Sequence, residues 1–239
     1  MKRFFSLLSV LTAILLAYGL YQALVAAPTE RTMGDVQRIF YYHVPSAWTA
    51  FLLFFTNLIA SIIYLVNKNV KADALAVSSA EVGVVFCTIV LVTGPIWARP
   101  VWGIWWTWDL RLTTTLVLWL IYVAYLMLRR FSDSAQTPIL AAVLAIFGAL
   151  DVPLVYFSIW FFRTQHPQPV MGNGGSLDPR MRHALLINWF AFSCFAILVC
   201  WSRYRLEMLR REVDEAHAME SLAGAPTPAA SLPLSRSPR

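Results

Sequence analysis

The chain is dominated by six long apolar runs that short polar segments separate, at residues 4–27, 47–66, 74–94, 112–128, 139–162 and 184–201. An α-helix needs about 20 apolar residues to cross a hydrocarbon core of about 30 Å, and each run is close to that length. The runs do not alternate apolar with polar residues, as the strands of a membrane β-barrel do. The pattern therefore predicts an all-α integral membrane protein with six transmembrane helices.

The composition excludes the main alternatives to a membrane protein. Hydrophobic residues make up 59% of the 239 positions and charged residues only 13%, whereas soluble domains have about 45–50% and about 25%. So much apolar surface excludes a disordered chain, and so few polar residues could not cover a water-soluble globule. The first run is longer than the apolar core of a signal peptide, so we expect it to remain as a helix.

Lys and Arg are denser in the short segments on the side of the two termini, with ten residues there against seven on the other side. The positive-inside rule then predicts cytoplasmic termini and external loops at residues 28–46, 95–111 and 163–183. The net charge of +6 reflects these helix ends and does not indicate nucleic-acid binding. We expect a six-helix domain at residues 1–211 and a disordered cytoplasmic tail, rich in Ala, Pro and Ser, at 212–239.

The second predicted external loop holds half of the ten tryptophans, together with three charged side chains: Trp97, Trp102, Trp105, Trp106, Trp108, Arg99, Asp109 and Arg111. Interfacial tryptophans often form an aromatic belt, which needs one or two per helix end. The alternative is a site for a planar ligand with carboxylates, since aromatic rings stack on such a ligand and Arg binds carboxylates bidentately. Asp109 suits an N-cap of the fourth helix, an ion pair with a nearby Arg, or a ligand contact.

Two histidines lie close to the predicted external helix ends, His43 before the second run and His166 after the fifth. One such histidine is usually a polar anchor, but two beside an aromatic segment with cations favour haem, for which imidazole is a common axial ligand. His183 suits an interfacial role, and His217 falls in the predicted tail.

Residues 102–113, with the lead-in at 93–100, resemble the tryptophan-rich WWD signature of haem-handling proteins. The six apolar runs and residues 42–45 make the chain most similar to the CcmC family of the system I cytochrome c maturation pathway. The resemblance implies a multi-pass protein of the bacterial inner membrane. It also implies that haem b is held as a transient cargo at the external face against the WWD segment, with His43 and His166 as axial ligands.

The resemblance further implies delivery of haem to the chaperone CcmE, and association with the ABC transporter subunits CcmA and CcmB and with the small membrane protein CcmD. The sequence departs from the family pattern at Ile104, at Leu110 and around His166, where Arg163 is an additional candidate for a haem propionate. We expect a haem-handling protein and not an enzyme. A haem lyase of the same superfamily is an alternative, although such proteins are longer.

Two carboxylates fall inside predicted spans, Glu81 in the third and Asp151 in the fifth. Carboxylates in a membrane are costly and often functional, so a small-solute permease that uses this pair is a second alternative. The simpler interpretation is that they bond across the bundle, to Asn57, to Asn188 or to the backbone beside Pro153.

Overall fold

The computed structural model describes residues 2–132, 134–162, 166 and 177–223. Within these residues the chain forms six long helices: α1 (Lys2–Tyr21), α2 (Phe40–Asn67), α3 (Val70–Trp102), α4 (Leu110–Phe131), α5 (Thr137–Phe161) and α6 (Pro179–Ala223). All six are long and apolar enough to cross a membrane, α1 together with the π-helical turn Gln22–Ala26 that follows it. The predicted all-α class and the number of spans are confirmed, and the sidedness stays a prediction.

Two of the predicted external loops are shorter than expected, because the neighbouring helices extend into them. A 3₁₀ turn, Asp35–Ile39, leads directly into α2, so His43 lies in the first turn of a helix. Helix α3 continues through Pro95 and Pro100 to Trp102 and ends at Gly103, whose φ of 79° suits glycine. Proline disfavours helical backbone, but neighbouring groups in a membrane bundle compensate for the lost hydrogen bond.

The sixth helix also exceeds its prediction. It continues to Ala223, so the expected disordered tail is wrong for residues 212–223, and residues 224–239 lie outside the described part of the chain. Residues 202–223 contain no Gly or Pro, and i,i+4 ion pairs such as Arg211–Glu207 at 2.8 Å favour the helical backbone. Richness in Ala, Pro and Ser led to the prediction of disorder, but residues 212–223 contain no Pro and only one Ser. Polar residues with high helix propensity extend a helix that packing has already nucleated.

The core of the bundle lies between α2, α3, α4 and α5. The ring of Phe54 is fully buried and stacks on Tyr122 with a centroid distance of 3.9 Å. Gly83 makes this packing possible, because a Cβ at that position would meet the Phe54 ring at 2.7 Å. Large apolar side chains such as Val85, Phe147 and Leu150 are exposed on the outside of the bundle, as lipid-facing residues are.

Charged groups join the helices at the end of the bundle where α3 begins and α4 ends. The buried carboxylate of Asp73 accepts two hydrogen bonds from Arg129, at 2.6 and 2.8 Å, and one from Arg211 at 2.8 Å. Glu81 forms a bidentate ion pair with Arg203 of α6. These contacts tie the long helix α6 to the rest of the bundle.

The two amide side chains that were expected to bond the membrane carboxylates have other partners. Asn57 donates to the backbone oxygen of Ala76, and Asn188 donates to those of Gly19 and Ala184. Glu81 does bond across the bundle, but to an arginine. The predicted bond of Glu81 across the bundle is therefore present, but its partner is Arg203 and not an asparagine.

Candidate haem site

Two adjoining cavities lie at the end of the bundle opposite Asp73, where α2 and α4 begin and α3 ends. We call them the wide cavity, of about 400 Å³, and the narrow cavity, of about 80 Å³. Six side chains line both cavities and so mark the junction between them: His43, Ala47, Phe51, Trp97, Arg111 and His166. The structure therefore brings together the two histidines, one tryptophan and one arginine that the sequence singled out separately.

The wide cavity opens between the start of α2, the end of α5 and the start of α6. Its additional walls are mostly apolar, including Phe40, Trp48, Ile159, Leu177 and Met181. Its volume falls within the range of about 300–1,000 Å³ that is typical of small-molecule sites. An apolar chamber with a few polar groups at one edge suits a large ligand that is apolar over most of its surface.

The narrow cavity runs between α2, α3 and α4 towards the centre of the bundle. Trp102 and Trp106 line it near the end of α3, and Cys87 lies about two helical turns deeper than Gly94. The indole Nε1 atoms of Trp97 and Trp106 are buried, and neither has a hydrogen-bond partner among the described residues. Unpaired buried donors are uncommon, so these two indoles are available to a polar group of a ligand.

His43 is held against α3 by three neighbouring residues. Its Nδ1 atom lies 2.9 Å from the Thr93 hydroxyl oxygen. A Cβ on Gly94 would lie 3.4 Å from the imidazole Cε1, an ordinary van der Waals distance, so the ring lies close against this part of α3. Trp97 contacts the imidazole edge to face, with a centroid distance of 6.0 Å. His43 as a whole is only 8% exposed, and it lines both cavities.

Arg111 supplies a positive charge at the junction of the cavities. It lies in the first turn of α4, two residues after the N-cap Asp109, whose carboxylate accepts from the Leu112 N–H at 3.0 Å. The Nη1 atom of Arg111 is buried and has no hydrogen-bond partner among the described residues. A buried donor without an acceptor is destabilising, and an anionic ligand oxygen would satisfy it.

Glu30 provides the opposite charge at the rim of the wide cavity. The backbone N–H groups of Met33 and Thr32 donate to its carboxylate, at 2.6 and 2.7 Å. The bond from Met33 is the largest cause of a lowered pKa for Glu30, so the group stays ionised. Carboxylates of a ligand would therefore be repelled from this rim and attracted to Arg111.

The remaining predicted site residues lie outside the walls of both cavities. Trp105 and Trp108 are 59% and 76% exposed. The Trp108 ring packs edge to face on Trp106, with a centroid distance of 5.7 Å. Arg99 donates to the Gly103 oxygen and closes the end of α3, while Asp109 serves as the helix cap that its position predicted. Arg163 lies outside the described residues.

Several residues that line the wide cavity were not predicted from the sequence. Val44, Ala47, Trp48 and Phe51 follow His43 at helical spacing, so extending α2 to include His43 would have identified this face. Tyr156 and Met181 come from α5 and α6, and nothing in their local sequence indicates that they meet the other elements.

The two membrane carboxylates belong to neither cavity. Glu81 is engaged by Arg203 near the opposite end of the bundle. Asp151 is buried in α5, and its Oδ2 atom has no hydrogen-bond partner among the described residues. Neither carboxylate lines the wide or the narrow cavity.

The site can bind a large, mostly apolar molecule that carries a metal and a carboxylate. Two imidazoles from different elements can ligate iron, aromatic side chains can contact a porphyrin ring, and Arg111 can pair with a propionate. The chemistry of the donor set fits haem.

Comparisons with known proteins identify the family of the chain. Residues 1–219 match the family described as heme exporter protein C, CcmC. Heme exporter protein C of Bradyrhizobium diazoefficiens is 37% identical over 217 residues, which cover 90% of this chain and 82% of that protein. The protein of the same name from Escherichia coli strain K12 is 32% identical, with coverages of 86% and 84%.

A plant relative is similar to nearly the same degree as the Escherichia coli protein. A putative cytochrome c biosynthesis ccmC-like mitochondrial protein of Marchantia polymorpha is 31% identical over 179 residues, which cover 74% of this chain and 76% of that protein. The family match spans the six-helix bundle almost to its end, including both histidines and the tryptophan segment. The chain belongs to the heme exporter protein C family.

Proposed function

We propose that this protein binds haem b at the external face of the bacterial inner membrane and delivers it to the chaperone CcmE for assembly of c-type cytochromes. Membership of the heme exporter protein C family supports haem handling in cytochrome c maturation. The protein acts as a handler that holds and presents haem, and we assign it no catalytic residue.

The observation that carries the proposal is the meeting of His43, His166 and Arg111 at the junction of two apolar cavities. In the sequence these residues lie in three separate segments, and each has an ordinary structural explanation there. Their meeting provides two axial ligands and one propionate partner in a chamber large enough for a drug-sized ligand. Neither an aromatic belt nor a helix cap requires that meeting.

The charges around the site give the ligand a preferred orientation. Arg111 attracts a propionate to the junction, whereas the ionised Glu30 repels it from the rim of the wide cavity. Trp97, Trp102 and Trp106 supply aromatic contact area beside the histidines. The exposed Trp105 and Trp108 lie next to the same site and provide an apolar surface for a haem chaperone.

The orientation in the membrane and the partners follow from charge and from the family. The distribution of Lys and Arg supports cytoplasmic termini, which places the cavities and the segment between α3 and α4 outside. The CcmC system implies CcmA, CcmB and CcmD as further partners, with CcmE as the acceptor of haem.

The proposal can be tested by purifying the protein in detergent from haem-replete cells and recording its absorption spectrum. We expect a Soret band that is lost or strongly weakened in His43→Ala and in His166→Ala. His183→Ala is the matched control, because Nε2 of His183 lies 3.2 Å from the Tyr18 hydroxyl oxygen and His183 lines neither cavity. Equal Soret intensity in all four proteins would contradict the assignment of the ligands.

Delivery requires a second measurement. Haem-loaded protein mixed with CcmE should lose its haem to the chaperone, and the wild type should co-purify with CcmE more than a Trp105→Ala, Trp108→Ala variant does. A haem-free wild-type protein whose solute transport depends on Glu81 would instead favour the permease.

A further inference from the structure

We propose that Thr93 is a positioning residue that holds His43 in the tautomer with the proton on Nδ1, so that Nε2 is free to ligate iron. The inference rests on the proposed function in its final step only, because the tautomer is a property of the protein without haem. Thr93 itself lines neither the wide nor the narrow cavity.

The hydrogen-bond geometry around Thr93 determines which atom donates. The Thr93 hydroxyl oxygen lies 2.6 Å from the backbone oxygen of Ile89, one helical turn earlier. Two oxygens at that distance repel unless a proton lies between them, and the backbone carbonyl has no proton to give. The single hydroxyl proton of Thr93 is therefore donated to Ile89.

The same hydroxyl oxygen lies 2.9 Å from Nδ1 of His43. Because its own proton is already used, Thr93 can only accept at this contact, so Nδ1 of His43 must carry the donated proton. A buried imidazole is neutral unless an anion compensates its charge, and a neutral imidazole has one protonated nitrogen. Nε2 of His43 is thus left as an unprotonated lone pair.

The packing around His43 keeps the ring in this arrangement. The imidazole Cε1 atom lies close to Gly94, next to Thr93, at 3.4 Å from where a Cβ would stand. Trp97, one turn further along, contacts the ring edge to face. Threonine, glycine and tryptophan at these three positions thereby align the imidazole from one side of α3. The structure gives Nε2 no hydrogen bond to any described residue, and the ring borders both cavities.

An imidazole that donates its second nitrogen to a fixed acceptor is a stronger and better oriented metal ligand. The sequence placed Thr93 in the lead-in to the tryptophan segment, but gave it no role. Its role is to prepare His43 before haem arrives, so that binding requires neither a proton transfer nor a rotation of the ring.

The test compares three substitutions on α3. Thr93→Val removes the hydroxyl at nearly constant volume, and Thr93→Ser keeps it. Thr88→Val is the matched control, because the Thr88 hydroxyl also bonds the carbonyl one turn earlier, at Val84, and accepts from an aromatic N–H, that of Trp119 at 2.8 Å. Thr88 therefore makes the same two kinds of hydrogen bond as Thr93, but its aromatic partner is Trp119 and not His43.

The first readout is ¹⁵N NMR of haem-free protein with labelled histidine, of which the chain has four. The His43 signal is assigned by its loss in His43→Gln. We expect Nδ1–H with unprotonated Nε2 in the wild type, in Thr93→Ser and in Thr88→Val, and loss of this preference in Thr93→Val. Protonated Nε2 in the wild type would overturn the inference, and that measurement decides it even if Thr93→Val fails to fold.

The second readout is the affinity for haem and the midpoint potential of the bound iron. Loss of an outer-shell partner typically reduces metal affinity by about 10- to 100-fold, so we expect that loss in Thr93→Val, with retention in Thr93→Ser and Thr88→Val. We also expect a more positive iron midpoint potential in Thr93→Val, because the imidazole becomes a weaker donor. If the wild type binds haem through His43 and Thr93→Val matches Thr93→Ser in affinity and potential, this inference fails while the proposed function stands. If the wild type binds no haem, the proposed function fails.

Discussion

Replacing Arg111 by methionine should affect haem binding and the stability of the empty protein in opposite directions. The substitution keeps an apolar stem of similar length and removes the guanidinium, whose Nη1 atom is buried without a hydrogen-bond partner among the described residues. A hydrogen bond to a charged group contributes about 1.5–3 kcal/mol, and each 1.4 kcal/mol changes an affinity tenfold. Haem affinity should therefore fall by about 10- to 150-fold.

The empty protein should respond differently. A buried donor that lacks an acceptor costs about 1–3 kcal/mol, and this cost disappears with the guanidinium. We expect the haem-free Arg111→Met protein to melt in detergent at the temperature of the wild type or above it. Loss of haem affinity together with retained stability separates a ligand contact from damage to the fold.

The assay is a haem titration followed at the Soret band, repeated with haem dimethyl ester, which carries no propionate charge. Arg111→Met should weaken the binding of haem far more than that of the ester. Arg31→Met is the control, because Arg31 is exposed and lines neither cavity. An equal loss of affinity for haem and for its ester would refute the pairing of Arg111 with a propionate.

Three further substitutions test the fold that positions the site. Arg129→Met leaves buried Asp73 with Arg211 as its remaining cationic partner among the described residues, and should lower the free energy of unfolding by about 3 kcal/mol in a denaturant titration. Gly83→Ala forces a Cβ to within 2.7 Å of Phe54 and should cost about 1–3 kcal/mol, seen as a lower melting temperature. Asp109→Ala removes the cap of α4 and should cost about 1 kcal/mol, whereas Asp109→Asn retains it, and equal melting temperatures would contradict the cap.

The number and class of the helices could be predicted because they depend on a local property. A stretch of about 20 apolar residues must form a helix in a membrane, where each backbone polar group needs a partner within the segment. The cap at Asp109 was predictable for the same reason, since an N-cap bonds to backbone groups two or three residues ahead. The helix ends were less predictable: α3 passes two prolines, and α6 continues through a polar segment to Ala223.

The contents of the site could be predicted only in part. Composition and clustering singled out the tryptophan segment and two histidines, but treated Arg99 and Arg111 alike. In the structure Arg111 lines both cavities, while Arg99 bonds the carbonyl of Gly103. Arg99 lies in the last turn of α3 and Arg111 in the first turn of α4, so the direction of each side chain depends on how its own helix is packed in the bundle.

By itself the sequence determined six membrane helices and a helix cap, because each of these follows from residues close together in the chain. It also singled out, by residue type and clustering, a set of residues able to handle haem. The tertiary structure decided that His43 bonds Thr93, fifty positions away, and that Glu81 pairs with Arg203 of α6. It also decided that His43, Arg111 and His166 meet at one junction. Such contacts depend on how whole helices are rotated and packed against each other, and no local pattern along one helix specifies that rotation.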